Sequence, residues 1–157
     1  MAKLKTSAAD MVAAARADIR EIETPDLIAI LEDPNLVVVD IRDVRERQRI
    51  GFIPGSFHAP RGMIEFWIDP DSPYFKPIFG EDKQFVFHCA SGWRSALTVQ
   101  TLQNMGLTRR TCAKASPLGL LKAALSRERN EHPGQNPLRC RDHRWCNDGV
   151  LGGLVPH

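Results

Sequence analysis

The sequence predicts an α/β fold with a parallel sheet. Two stretches carry that reading, LVVVDI at 36–41 and QFVFH at 84–88. Both are continuous apolar runs of the kind found in strands buried on both faces. Segments with helix signals lie between and around them, and strands that alternate with helices pair in parallel. The chain has 157 residues, 43% hydrophobic and 25% charged, which gives room for one domain with a real core.

In chain order, residues 7–20 read as a helix N-capped by Ser7, with Asp10 three positions on and Met11, Ala14 and Ala15 as its apolar stripe. A second helix opens at Thr24-Pro25-Asp26, with Thr24 as N-cap and Pro25 in the first turn. Leu27, Ile30 and Leu31 supply its buried face, and Pro34-Asn35 ends it. After the strand at 36–41, Asp43 caps a short charged helix, VRERQRI, whose Arg45, Arg47 and Arg49 read as a solvated face. Residues 51–60 are rich in turns, with a short strand around Phe57; 62–68 is a short helix bearing Met63, Phe66 and Trp67. Pro70, Pro73 and Pro77 make 69–83 an irregular loop. The strand 84–88 leads into CASGWR and then an amphipathic helix, SALTVQTLQNM, that stops at Gly106.

Composition excludes several classes. No run approaches the ~18 apolar residues of a membrane span. The N-terminus lacks an apolar signal core, being interrupted by Asp10, Arg16 and Asp18. Four cysteines are too few for a disulfide scaffold, so reduced thiols in a cytoplasmic protein are expected. A net charge of +2 argues for no nucleic-acid or membrane partner. That average hides a break. Residues 1–106 hold 12 Lys and Arg against 15 Asp and Glu, a net of −3, whereas 107–157 hold 9 against 4, a net of +5. Ten of the eleven aromatics lie in the first part, so the structured body ends near there.

The chemistry concentrates in one loop. Cys89 follows a buried strand and precedes a helix, the place where open α/β sheets bind ligands. Gly92 lets the backbone curl so that successive amides turn inward. Ser95 can N-cap the helix, whose positive end faces the same point. Arg94 adds a planar cationic fork for an oxyanion. Together these favour a reactive Cys89 thiolate in a cradle for an anionic substrate or a charged sulfur intermediate. A lone cysteine reads as structural packing; the full string, strand-C-x-x-G-x-R-S-helix, reads as a site.

VVVDIRD (37–43), GFIPGSFHAP (51–60) and FHCASGWRS (87–95) together resemble the rhodanese sulfurtransferase domain, over about Thr24 to Gly106. The resemblance implies a three-layer α/β/α fold with a mainly parallel sheet. It implies that Cys89 attacks the sulfane sulfur of a small anionic donor such as thiosulfate, becomes a persulfide, and passes the sulfur to a thiol or cyanide-like acceptor, with no cofactor and no metal. Ala90, Ser91, Gly92, Trp93, Arg94 and Ser95 then form the substrate cradle: amides of 90–94 hold the persulfide, Arg94 takes the donor's anionic end, and Trp93 shapes the mouth. Asp40 and Arg42 match an Asp-x-Arg that braces the active-site region, and Arg61 is a lesser candidate for anion binding. Phe52 departs from the family, which often has His there. Related phosphatase and arsenate-reductase loops usually place five residues between Cys and Arg; here there are four, although His88-Cys89 does echo the phosphatase pair. A non-catalytic binding or redox-sensing member is the other alternative.

On this reading the chain divides into an N-terminal helical extension at 1–23, a rhodanese-like domain at 24–107 and an atypical basic tail at 108–157, disordered over 130–157. The family's C-terminal strand and helix are missing or replaced, since LTRRTCAKASPLGLLKAALSRE stands where a Gly-Gly-Phe-x-Ala-Trp-type motif is expected. Codon degeneracy suggests why. Read from the third base of the Thr111 codon, the next codons permit LREGFAAWAAEGGPV, which looks like a rhodanese C-terminus. The residues from about Thr108 onward therefore read as out of frame, through a sequencing error or a genuine frameshift. Cys140, His143 and Cys146 in the tail have a metal-like spacing but lack a second properly spaced pair. Resequencing the gene across codons 100–130 should reveal the shift; an unbroken frame with codons unable to encode Glu-Gly-Phe refutes it.

Overall fold

The computed structural model describes residues 4–107 and the strand Thr111–Lys114. Helix α1 (Ala8–Asp18) begins at Ser7, whose hydroxyl accepts from the Asp10 amide at 3.1 Å while Asp10 reaches back to the Ser7 amide. Its buried stripe is Val12 and Ala15, not Met11 and Ala14, both of which face outward. Helix α2 (Thr24–Ala29) starts one residue earlier than its sequence suggests: Glu23 is the N-cap and Thr24 is already helical, with Pro25 in the first turn. Ile30 and Leu31 lie past its end but still pack with Leu27.

Strands β1 (Leu36–Asp40), β2 (Phe57–His58), β3 (Gln84–His88) and β4 (Thr111–Lys114) form one sheet in the order β2-β1-β3-β4, parallel throughout. Val38 faces Val86 across the β1–β3 pair, and Asp40 faces His88 at the carboxyl end. Helix α3 (Val44–Ile50) follows β1 with Asp43 as N-cap; a 3-10 turn at Arg61–Met63 leads into α4 (Ile64–Ile68), and a second at Pro77–Gly80 lies within the 69–83 loop. Helix α5 (Trp93–Asn104) follows the loop after β3.

The alternation of the strands separates two apolar layers. Val37, Val39, Phe85 and Phe87 face one way, against Ile64 and Ile68 of α4 and Val99 and Leu102 of α5. Val38 and Val86 face the other way, against Leu27 of α2 and Ile53. Helices on both faces give the three-layer α/β/α architecture, with α1 packed on α5 through Val12, Ala15 and Ala96. The strand position after α5, which the sequence leaves missing or replaced, is occupied by β4, with Phe85 opposite Thr111 and His88 opposite Lys114. The expected helix after it, the disordered stretch and the Cys140–His143–Cys146 spacing lie outside the described residues.

At the carboxyl end of β1 and β3 the core turns polar. The Asp40 carboxylate accepts from Arg42 Nε at 2.9 Å, Arg42 Nη2 at 2.7 Å and the Arg42 amide at 3.1 Å, all buried. Arg42 Nη2 also donates to the Gly51 carbonyl at 2.8 Å, and a His58 ring nitrogen lies 2.9 Å from the Arg42 carbonyl. Burial pushes the Asp40 carboxyl up, but the Arg42 hydrogen bonds and neighbouring positive charge outweigh it and leave it below the usual range. His88 is fully buried, its Nε2 3.7 Å from Asp40 Oδ2, with neither ring nitrogen hydrogen-bonded among the described residues. Burial, only partly opposed by Asp40, pushes the ring down to about 4, so it is neutral at pH 7.

Two stability effects are expected. Arg42→Met, which strands the buried carboxylate, should cost about 3–5 kcal/mol in urea unfolding. His88 makes stability pH-dependent: between pH 6.5 and about 4 the unfolded chain takes up a proton that the buried ring refuses, so stability falls as pH falls through that window. The loss should reach roughly 2 kcal/mol by pH 5 and be missing from the slope of His88→Gln. Equal slopes for the two proteins contradict it.

Candidate active site

The loop Cys89–Gly92 joins β3 to α5 and puts the Cys89 thiol at the carboxyl edge of the sheet. Gly92 has φ +83°, a left-handed conformation that a side chain would strain, and it is the N-cap of α5. That turn brings the Gly92 amide to 3.2 Å from Cys89 Sγ, so the sulfur receives a backbone N–H at the positive end of a 12-residue helix. Ser95, expected as N-cap, lies inside the helix instead. Its hydroxyl donates to the Gly92 carbonyl at 3.1 Å and stands 3.6 Å from Sγ, so it braces the loop and touches the sulfur.

Cys89 is fully buried, whereas Ala90, Ser91 and Trp93 are exposed at the rim. Arg94, in the first turn of α5, is engaged by a partner that sequence reasoning missed. Its Nη1 donates to Glu46 Oε2 at 2.6 Å and its Nη2 to Glu46 Oε1 at 2.9 Å, a two-pronged pair between α5 and α3. The Arg94 bond holds the Glu46 carboxyl below its ordinary range, and Glu46, with a smaller contribution from Cys89, holds the Arg94 guanidinium above its own. The signal was present: Glu46 stands three residues after Asp43, and its carboxylate closes the capping box of α3.

Asp40 pairs with His88, the residue before Cys89, and Arg42 ties the end of β1 to the Gly51 turn. Arg47 is not part of a solvated face: its Nε lies 3.1 Å from Asp40 Oδ2, and its guanidinium stacks 4.6 Å from the centre of the Phe52 ring. Burial lowers its basicity, and the Asp40 charge opposes that only in part. Arg61, the lesser candidate, pairs with Glu65 at 2.6 Å. Among the described residues no group of three or more His, Cys, Asp or Glu could hold a metal ion, and no helix is long and apolar enough to cross a membrane.

The geometry has relatives. A solved structure from Rhodopseudomonas palustris, described as a protein of unknown function and possible tyrosine phosphatase, is 46% identical, covers 79% of this chain and 95% of its own, and superposes with a TM-score of 0.73. A rhodanese-related protein from Thermoplasma volcanium is 26% identical over 66% of this chain and 90% of its own, with a TM-score of 0.51. The human single-domain sulfurtransferase is 25% identical over 65% and 96%, also at 0.51. A rhodanese domain-containing protein of Drosophila melanogaster is 27% identical over 88 residues, 53% of this chain and 79% of that protein. The family model described as "Rhodanese-like domain" matches residues 23–113, more than half of the sequence and through most of β4. A parallel sheet, a cysteine on the loop after its strand β3 and a family match spanning both place this chain in the rhodanese-like domain family.

Proposed function

We propose that this chain is a rhodanese-type sulfurtransferase that carries sulfane sulfur on Cys89. The observation that carries the reading is the Gly92 amide aimed at Cys89 Sγ from the start of α5, with Arg94 alongside. The Cys89 thiolate attacks the terminal sulfur of a donor such as thiosulfate. An S–S bond forms to Cys89, the donor's own S–S bond breaks, and its electron pair leaves on sulfite. The Gly92 amide and the helix end stabilise the negative outer sulfur of the persulfide. A thiol or cyanide acceptor then attacks that outer sulfur and Cys89 departs as thiolate. The four-residue spacing between Cys89 and Arg94 supports sulfur over the larger tetrahedral phosphate.

In this reading Asp40 and Arg42 hold the loop without touching substrate, Trp93 shapes the entrance, and Arg61 contributes to donor approach at most as a distant charge. The rhodanese-like body covers 24–107 together with the strand β4 that completes its sheet, with a helical extension at 1–23, and the protein acts in the cytoplasm on small anionic donors. Intact mass before and after thiosulfate tests the reading. The wild type should gain one sulfur atom, lose it on adding cyanide, and Cys89→Ser should gain none. No gain in a folded wild type refutes sulfur transfer and favours the non-catalytic module. Hydrolysis of a phosphate ester that depends on Cys89 favours the phosphatase alternative instead.

A further inference from the structure

We propose that Glu46 is a positioning residue that selects donors by charge: by holding Arg94 in a neutral pair it favours singly charged sulfur donors over doubly charged ones. This deepens the sulfur-transfer reading and rests on it. Both terminal nitrogens of Arg94 are occupied by Glu46, at 2.6 and 2.9 Å. The carboxylate is itself fixed, because it accepts from the Asp43 amide at the start of α3. Each partner keeps the other ionised, so the pair presents no net charge where a lone guanidinium would present a full positive one. Arg61, the other candidate cation, is neutralised by Glu65.

The consequence is a matter of Coulomb's law. Cys89 reacts as an anion, so an incoming dianion is repelled twice as strongly as a monoanion of similar shape. An unpaired Arg94 would offset that repulsion; one engaged by Glu46 does so weakly. Thiosulfate and an alkanethiosulfonate make a matched comparison. In both, Cys89 attacks the terminal sulfur and the donor's S–S bond breaks. The electron pair leaves on sulfite or on alkanesulfinate, and no further reactant is needed. The donors differ by one negative charge at the end Arg94 faces.

The test is kcat/KM for thiosulfate and for methanethiosulfonate, with cyanide as acceptor, in the wild type, Glu46→Gln and Glu46→Asp. The ratio of the two donors is the readout, since partial loss of folded enzyme lowers both alike. Glu46→Gln should raise the thiosulfate-to-thiosulfonate ratio about fivefold, the scale of one partly exposed ion pair, mainly through a lower KM for thiosulfate. It should also steepen the fall of the thiosulfate value with added salt. Glu46→Asp, which keeps the charge beside Arg94, should stay within twofold of the wild type. A Glu46→Gln ratio within twofold of the wild type overturns the inference and leaves sulfur transfer standing, as does an equal change in Glu46→Asp. If neither donor loads Cys89 in the wild type, both readings fall together.

Discussion

The buried pair of Asp40 and Arg42 is the constraint on which the carboxyl edge of the sheet depends. A carboxylate that ends a central strand cannot stay ionised in the core without a partner, and three Arg42 hydrogen bonds supply one. Satisfying Asp40 folds the chain back immediately after β1. Satisfying Arg42 then brings in the Gly51 carbonyl, and the Arg42 carbonyl brings in His58. One pair thus fixes where α3 starts, where it ends and how β2 joins the sheet. His88, neutral beside the pair and adjacent to Cys89, fills the remaining space without adding a charge.

Helix α3 owes its position to charge rather than to apolar burial. None of its residues is buried. It is held by the Asp43–Glu46 capping box, by Arg47 reaching Asp40 and by Glu46 reaching Arg94. These contacts are directional but individually modest where they meet solvent. A helix anchored this way can tune the loop across from it without contributing to the core, and substitutions on it bear on the site more than on the sheet.

Much of this was legible in the sequence because it is local. LVVVD and QFVFH announce strands buried on both faces, and the structure separates their alternate residues into two layers. Ser7 and Asp43 announce helix starts through side chains three residues from their partners. The loop was legible as a string, C-x-x-G-x-R-S. What escaped was non-local or rotational. The Glu46–Arg94 pair spans 48 residues. Arg45, Arg47 and Arg49 look equivalent in a row, yet only helix rotation decides that Arg47 meets Asp40. Thr24 and Ser95 looked like N-caps, but Glu23 and Gly92 take those places, since a left-handed glycine can start a helix without a capping side chain. The segment after Leu107 lacks the family's motif and still contributes β4, because a parallel ladder is built from main-chain groups that any non-proline residue carries.

The site therefore divides its work between two sources of field. The α5 end and the Gly92 amide act on the sulfur through backbone dipoles, which no surface substitution removes. Arg94 acts through a side chain whose charge is shared with a residue on another element. Backbone dipoles are the same for every donor, so on the proposed sulfur-transfer reading they would stabilise a persulfide without discriminating its source. The shared guanidinium responds to the charge of what approaches. On that reading, chemistry common to the loop and the proposed donor selectivity arise from different parts of the fold, the first from where β3 ends, the second from how α3 is pinned.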